Sequence, residues 1–207
     1  MVGYGIDFHG LTWDNRTLWA ADFTNRLIYQ IDPATGTLIR SIGAFAISPR
    51  GLAFDGRALW AIDLVTSTIN QIDPATGTVI RSIGASSAIA VGLTFDGRAL
   101  WVGEDTNKFI NQIDPATGTL IRSLGGYAFL SHGLTFDGRT LWAADFVNNL
   151  IHQIDPATGT LIRSIGAFAI KPRGLTFDGR TLWTSDLDNN RLYQIDPATG
   201  TIIRSIP

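Results

Sequence analysis

The chain has 207 residues, 45% of them hydrophobic and 16% charged, with a formal net charge of −2. That size suits one domain with a substantial core, and charge so low and balanced argues against a disordered chain and a nucleic-acid-binding surface. With no cysteine, disulfides and thiolate chemistry are excluded.

Met1 to Asp7 show no basic n-region and no apolar run, so no signal peptide is expected. No apolar stretch reaches the ~18 residues that a membrane helix needs. A stronger signal is periodic. Trp19, Trp60, Trp101, Trp142 and Trp183 are spaced by 41 residues each time, and five such units with two residues over make up the chain. Gly10-Leu11 returns at Gly51, Gly92, Gly133 and Gly174, and Asp32-Pro33-Ala34-Thr35-Gly36-Thr37 returns from Asp73, Asp114, Asp155 and Asp196. A fixed period of this size signals a repeat architecture.

The second unit, in chain order, predicts four strands. Gly51 to Phe54 is a short apolar run, followed by Asp55-Gly56, which predicts a two-residue hairpin with both central residues at positive φ. Ala58 to Asp63 makes the second strand, and Thr66, Ser67 and Thr68 break it. Ile69 to Ile72 is the third, and Asp73-Pro74-Ala75-Thr76-Gly77-Thr78 a second tight turn. Val79 to Ile83 is the fourth. No apolar 3.6-residue period persists, so helix is disfavoured throughout.

Four strands in about 40 residues match one propeller blade. The expected fold is all-β: a five-bladed β-propeller, each blade a four-stranded antiparallel meander, in one domain over residues 1–207. The blades are expected at about 9–43, 50–84, 91–125, 132–166 and 173–207.

The run Gly51-Leu52-Ala53-Phe54-Asp55-Gly56-Arg57, then Leu59-Trp60-Ala61-Ile62-Asp63 and Ile69-Asn70-Gln71-Ile72-Asp73, resembles the NHL and YVTN type of propeller repeat. Pro49 and Pro172 keep that repeat's leading proline. The resemblance implies the propeller fold. Its members span partner-binding modules, surface proteins, lactonases, lyases and glutamine cyclotransferases, so fold alone assigns none of these.

The repeated tryptophans are expected to pack between blades. A buried aromatic removes roughly 150–250 Å² from water, an upper bound of about 4–6 kcal/mol gross. No strand is expected to be shared between the first and last blades, so closure rests on side-chain packing at that seam. Hydrogen exchange should therefore begin there before it reaches blade three.

Divergence between the copies concentrates on one face. There the second turns begin at Phe23, Leu64, Asp105, Phe146 and Leu187, and the connectors run 44–49, 85–90, 126–131 and 167–172. Connector aromatics Tyr4, Phe45, Tyr127 and Phe168, with Ser86 the exception, are expected to plug gaps between blades beside Ile47, Phe129 and Ile170.

Two rings stand on this face. His9, Arg50, Val91, His132 and Arg173 precede the first strands, and Asp22, Asp63, Glu104, Asp145 and Asp186 end the second. His9, Arg50, His132, Arg173 and Glu104 are the expected ligand-binding residues. Within four blades a basic residue is set to meet an aspartate: His9 with Asp22, Arg50 with Asp63, His132 with Asp145, Arg173 with Asp186. The five carboxylates are the expected caps of the turns that follow them, or else a ring for a hard cation such as Ca²⁺, at Asp22, Asp63, Glu104, Asp145 and Asp186. No other cofactor is implied. His152, in a third strand, is not expected to join the other histidines.

The near-identity of the copies suggests recent amplification or engineering, and its symmetry points to a non-enzymatic scaffold with a binding face. The alternatives are a multivalent carbohydrate binder and a lyase-, lactonase- or cyclotransferase-like enzyme with an acidic pore-mouth site around Glu104. A monomer is expected, with no nucleic-acid or membrane partner and its ligand unknown.

Overall fold

The computed structural model describes residues 7–43, 48–85, 89–125, 127, 129–166, 171–186 and 188–207. Blade one holds β1 (Phe8–Trp13), β2 (Leu18–Asp22), β3 (Leu27–Ile31) and β4 (Leu38–Gly43). Blade two holds β5 (Pro49–Phe54), β6 (Leu59–Asp63), β7 (Thr68–Ile72) and β8 (Val79–Gly84). Blade three holds β9 (Ala90–Phe95), β10 (Leu100–Glu104), β11 (Ile110–Ile113) and β12 (Leu120–Leu124). Blade four holds β13 (Ser131–Phe136), β14 (Leu141–Asp145), β15 (Leu150–Ile154) and β16 (Leu161–Gly166). Blade five holds β17 (Pro172–Phe177), β18 (Leu182–Asp186), β19 (Arg191–Ile195) and β20 (Ile202–Ile206). Each sheet takes four consecutive strands in order, all antiparallel, so this is a five-bladed β-propeller, and among the described residues no strand is shared across the seam.

The core lies between blades. Trp19 packs with Leu52, Leu59, Ala61 and Ile72 of blade two. Trp183 of blade five packs with Leu11, Leu18, Ala20 and Ile31 of blade one, which closes the ring. Each repeated tryptophan is 1% exposed, so its apolar area is almost wholly withdrawn from water.

The indole N–H needs a partner there, and the first turn supplies it. The five indole nitrogens donate to Asp14, Asp55, Asp96, Asp137 and Asp178 at 2.7–2.8 Å. These aspartates also cap backbone N–H groups ahead of them, as Asp55 does for Arg57 and Ala58 at 2.8 and 2.7 Å. This corrects the predicted hairpin. The loop is a four-residue Asx turn, Asp55 to Ala58, with positive φ at Gly56 (93°) and not at Asp55. The carboxylate holds the backbone in a turn that needs one left-handed residue rather than two.

The inner strands explain the repeated glycine. A Cβ on Gly10 would stand 2.0 Å from the carbonyl oxygen of Arg50, and one on Gly133 would stand 2.1 Å from that of Arg173. Backbones of neighbouring blades meet too closely there for any side chain.

A repeated arginine links the outer parts. Arg40, Arg81, Arg122, Arg163 and Arg204 donate through Nη1 at 2.9–3.1 Å to an alanine carbonyl in the next blade's Asp-Pro-Ala-Thr turn, the last of them to Ala34 of blade one. Each guanidinium also lies over its own blade's tryptophan, 5.1–5.4 Å from the ring centroid.

Candidate ligand site at the pore mouth

Each first strand is irregular at the same point. Register shifts fall between Phe8 and Gly10, Pro49 and Leu52, Ser131 and Gly133, and Pro172 and Leu175. They bracket His9, Arg50, His132 and Arg173. A bulge leaves a residue out of the ladder and re-aims its side chain, and here it frees these four from their own sheets.

They do not meet the aspartates at the ends of their own second strands. His9 Nε2 lies 2.8 Å from Asp7 Oδ2, and Arg173 Nη1 lies 3.4 Å from Asp7 Oδ1 across the seam. Arg173 Nη1 also lies 3.1 Å from His9 Nδ1. His132 Nε2 lies 3.2 Å from Asp105 Oδ1, on the second turn of blade three. The expected pairing with the second-strand aspartates is thus replaced: His9 pairs with Asp7 beside it, while His132 and Arg173 pair across to a neighbouring blade. Asp7 and Asp105 were not singled out as site residues. The signal available for Asp105 was its register: it replaces Phe23 and Phe146 at the start of the second turn.

Two phenylalanines flank the mouth, each against a histidine and an arginine. Phe23 takes the His9 ring at 5.0 Å and Arg50 Cζ at 5.2 Å from its centroid. Phe146 takes the His132 ring at 5.3 Å, nearly parallel, and Arg173 Cζ at 5.1 Å. Lys171 Nζ also stands 5.9 Å from the Phe146 centroid.

Burial, reinforced by Arg173 and opposed by Asp7, lowers the His9 pKa to about 4. The ring is therefore neutral at pH 7. Asp7 Oδ2 faces its Nε2, and Arg173 Nη1 is in contact with both ring nitrogens. Burial also lowers the pKa of Arg50 and of Arg173, and Asp7 and Asp105 oppose it in both. Arg50 Nε and Arg173 Nε are buried with no hydrogen-bond partner among the described residues. His132 Nε2 and Asp105 Oδ1 are close enough to attract but too misaligned to bond.

The second-strand carboxylates sit deeper, in their own blades. Asp22 accepts from Asn25 N and Nδ2, Asp63 from Ser48 N and Val65 N, and Asp186 from Lys171 N and Asp188 N, at 2.7–3.1 Å. Asp145 accepts from Val147 N, Asn148 N and Asn148 Nδ2. Glu104, 4% exposed, accepts from Asn111 Nδ2 of the neighbouring strand. Among the described residues, no three His, Asp or Glu side chains converge in a way that would hold a metal ion.

Of the connector aromatics, Tyr127 stacks on Phe129 at 4.9 Å, and Phe129 joins the core around Trp101 and Leu134. Tyr4, Phe45, Phe168 and Ser86, with Ile47 and Ile170, lie outside the described residues, as does Leu187.

No family model matches the chain, and no curated protein does. Solved structures do. Glutaminyl cyclase of Myxococcus xanthus superposes with a TM-score of 0.80 at 17% identity, covering 91% of this chain and 89% of that one. A chain of the nidogen/laminin complex superposes at 0.71 with 19% identity, covering 97% of this chain and 80% of that one. At such identities the likeness is one of fold.

The first of these corrects an expectation. Near-symmetry of the copies was the ground for a non-enzymatic chain, yet an enzyme is among the structures this chain superposes on. Symmetry in a propeller resides in its turns and core. The mouth is asymmetric here, with histidine, arginine, valine, histidine and arginine at one ring position.

Proposed function

We propose that this chain is a binding propeller of the NHL/YVTN type whose pore mouth takes a small carboxylate ligand. The observation that carries this reading is the pair of buried, unpartnered guanidinium Nε–H groups of Arg50 and Arg173. A buried N–H without a partner costs about 1–3 kcal/mol, and a carboxylate oxygen relieves that cost with charge-assisted hydrogen bonds. Phe23 and Phe146 each lie against one of the guanidiniums, 5.2 and 5.1 Å from Cζ to ring centroid. Asp7 and Asp105 face the same space, which favours a ligand carrying an ammonium group beside its carboxylate.

Calorimetric titration of the full chain with acetate, glutamate and galactose tests this. Glutamate is expected to bind one per chain, acetate more weakly, and Arg173→Gln to weaken both by about tenfold or more. Heat from galactose alone would instead favour the carbohydrate reading, and no heat from the carboxylates at millimolar concentration would overturn the proposal.

A further inference from the structure

Blade four carries a hydrogen-bonded chain of side chains that the pore mouth does not use. Its members are Asp145 at the end of β14, His152 in β15 and Ser164 in β16, with His152 and Ser164 directly opposite one another in the ladder. His152 Nδ1 is 2.8 Å from Ser164 Oγ, and His152 Nε2 is 3.2 Å from Asp145 Oδ2. A carboxylate only accepts, so Nε2 carries the ring hydrogen and Nδ1 is left to accept from the serine hydroxyl.

The two inner members are fixed. Asp145 is 0% exposed and is held by three donors from Val147 and Asn148. His152 is buried, and its ring stacks on Phe129 at 3.9 Å between centroids. Ser164 is exposed. A rigid, buried acid–imidazole pair therefore ends on an accessible hydroxyl. Asp145 and His152 also line a cleft of about 320 Å³ whose other walls are Tyr127, Phe129, Asn148, Leu150 and Leu161.

The other blades carry the same serine, at Ser41, Ser82, Ser123 and Ser205, but Tyr29, Asn70, Asn111 and Tyr193 stand opposite it. Only blade four pairs that serine with a base.

We propose that Ser164 is a nucleophile with His152 as its general base, and that blade four cleaves esters of short apolar acyl groups. Ser164 Oγ attacks the ester carbonyl carbon as its proton passes to His152 Nδ1, and Asp145 stabilises the imidazolium. The bond from that carbon to the alcohol oxygen breaks, and the departing alcohol takes the proton from Nδ1. Water then attacks the acyl-serine, giving a proton to Nδ1. The bond between carbon and Oγ breaks, the proton returns to Oγ, and the carboxylic acid leaves. Tyr127, Phe129, Leu150 and Leu161 give the adjoining cleft apolar walls that suit an acyl chain.

The test is covalent labelling of the full chain with an alkyl fluorophosphonate, followed by trypsin digestion and mass measurement. The five serines fall on peptides of different sequence. Ser41–Arg50 contains Ser48 where Ser164–Arg173 has Lys171, and Lys171 precedes proline and stays uncut. The adduct is expected on Ser164 at least about tenfold over Ser41, and His152→Asn should cut it about a hundredfold. Asparagine occupies this position in blades two and three, so that variant keeps the fold. p-Nitrophenyl acetate should give a burst of one p-nitrophenolate per chain, absent in Ser164→Ala. Equal labelling of the five serines, labelling unchanged in His152→Asn, or no adduct on Ser164 would overturn the proposal.

Discussion

Ser185 of blade five donates through Oγ to the carbonyl oxygen of Phe8 in blade one at 2.9 Å, and accepts from the backbone N–H of Gly174 at 2.8 Å. Its equivalents are Ala21, Ile62, Gly103 and Ala144. Polarity thus enters the last blade at the joint where the ring closes. Thr184 beside it donates to the carbonyl of Gly174 at 2.8 Å. Ser185→Ala strands a buried acceptor and a buried donor, at about 1–3 kcal/mol. It should bring hydrogen exchange in β1 and β17 forward relative to β9, whereas Ala144→Ser should not. Unchanged exchange at β1 would show that the clasp contributes nothing to closure.

The arginine link offers a matched comparison. Arg81 and Arg204 each reach the next blade through Nη1, to Ala116 and Ala34, both at 3.1 Å. Both contacts are exposed, so each contributes little, about 1 kcal/mol or less. If the seam is a joint like the others, Arg81→Ala and Arg204→Ala should lower the urea midpoint equally. A larger loss from Arg204→Ala would mark the seam as the weaker joint.

Trp142 separates packing from hydrogen bonding. Trp142→Ala leaves a cavity between blades four and five and should cost about 3–5 kcal/mol. Trp142→Phe keeps much of the ring but removes the donor to Asp137 Oδ2, which still accepts from Thr140 Oγ1. Its cost should be much smaller, and equal losses in the two variants would refute this division.

Strand order and blade count were legible because the 41-residue period and turn chemistry are local signals. The partner of the indole was also in the sequence, as an aspartate five residues before each tryptophan, though turn propensity alone accounts for such an aspartate. The mouth was half legible. His9, Arg50, His132 and Arg173 stand out by register, but their partners depend on a bulge that no residue pattern announces. Blade four's chain of Asp145, His152 and Ser164 was hidden for a different reason. Its members lie on three strands, and only pairing register brings them together.

The turn aspartates predict acid sensitivity. Burial raises the pKa of Asp14, Asp55, Asp137 and Asp178, but hydrogen bonds from the indole and from turn N–H groups outweigh it and hold each below the usual carboxylate value. A depressed folded pKa means the unfolded chain binds protons first. Their stabilisation is complete above the unfolded value of about 3.9 and is lost as pH falls through the lower folded values. The urea midpoint should drop below about pH 4. Asp55→Asn sets an amide N–H against the Trp60 indole or the turn N–H groups, so it should lower stability at neutral pH and flatten the acid limb. A wild-type midpoint constant down to pH 2 would contradict this.

His9 gives a separate window. Its pKa falls from 6.5 to about 4 because burial and Arg173 disfavour the imidazolium more than Asp7 favours it. The unfolded chain therefore takes up a proton that the folded chain refuses between these values. Stability from this group is complete above about pH 6.5, declines as pH falls toward 4, and then levels. The His9 ring resonances should titrate near pH 4, with the urea midpoint sloping across that window. His9→Gln, which keeps a donor and an acceptor for Asp7 and Arg173, should remove the slope without removing the fold. A ring that titrates near 6.5 would mean that Asp7 prevails and that the mouth carries a third cation at mildly acid pH.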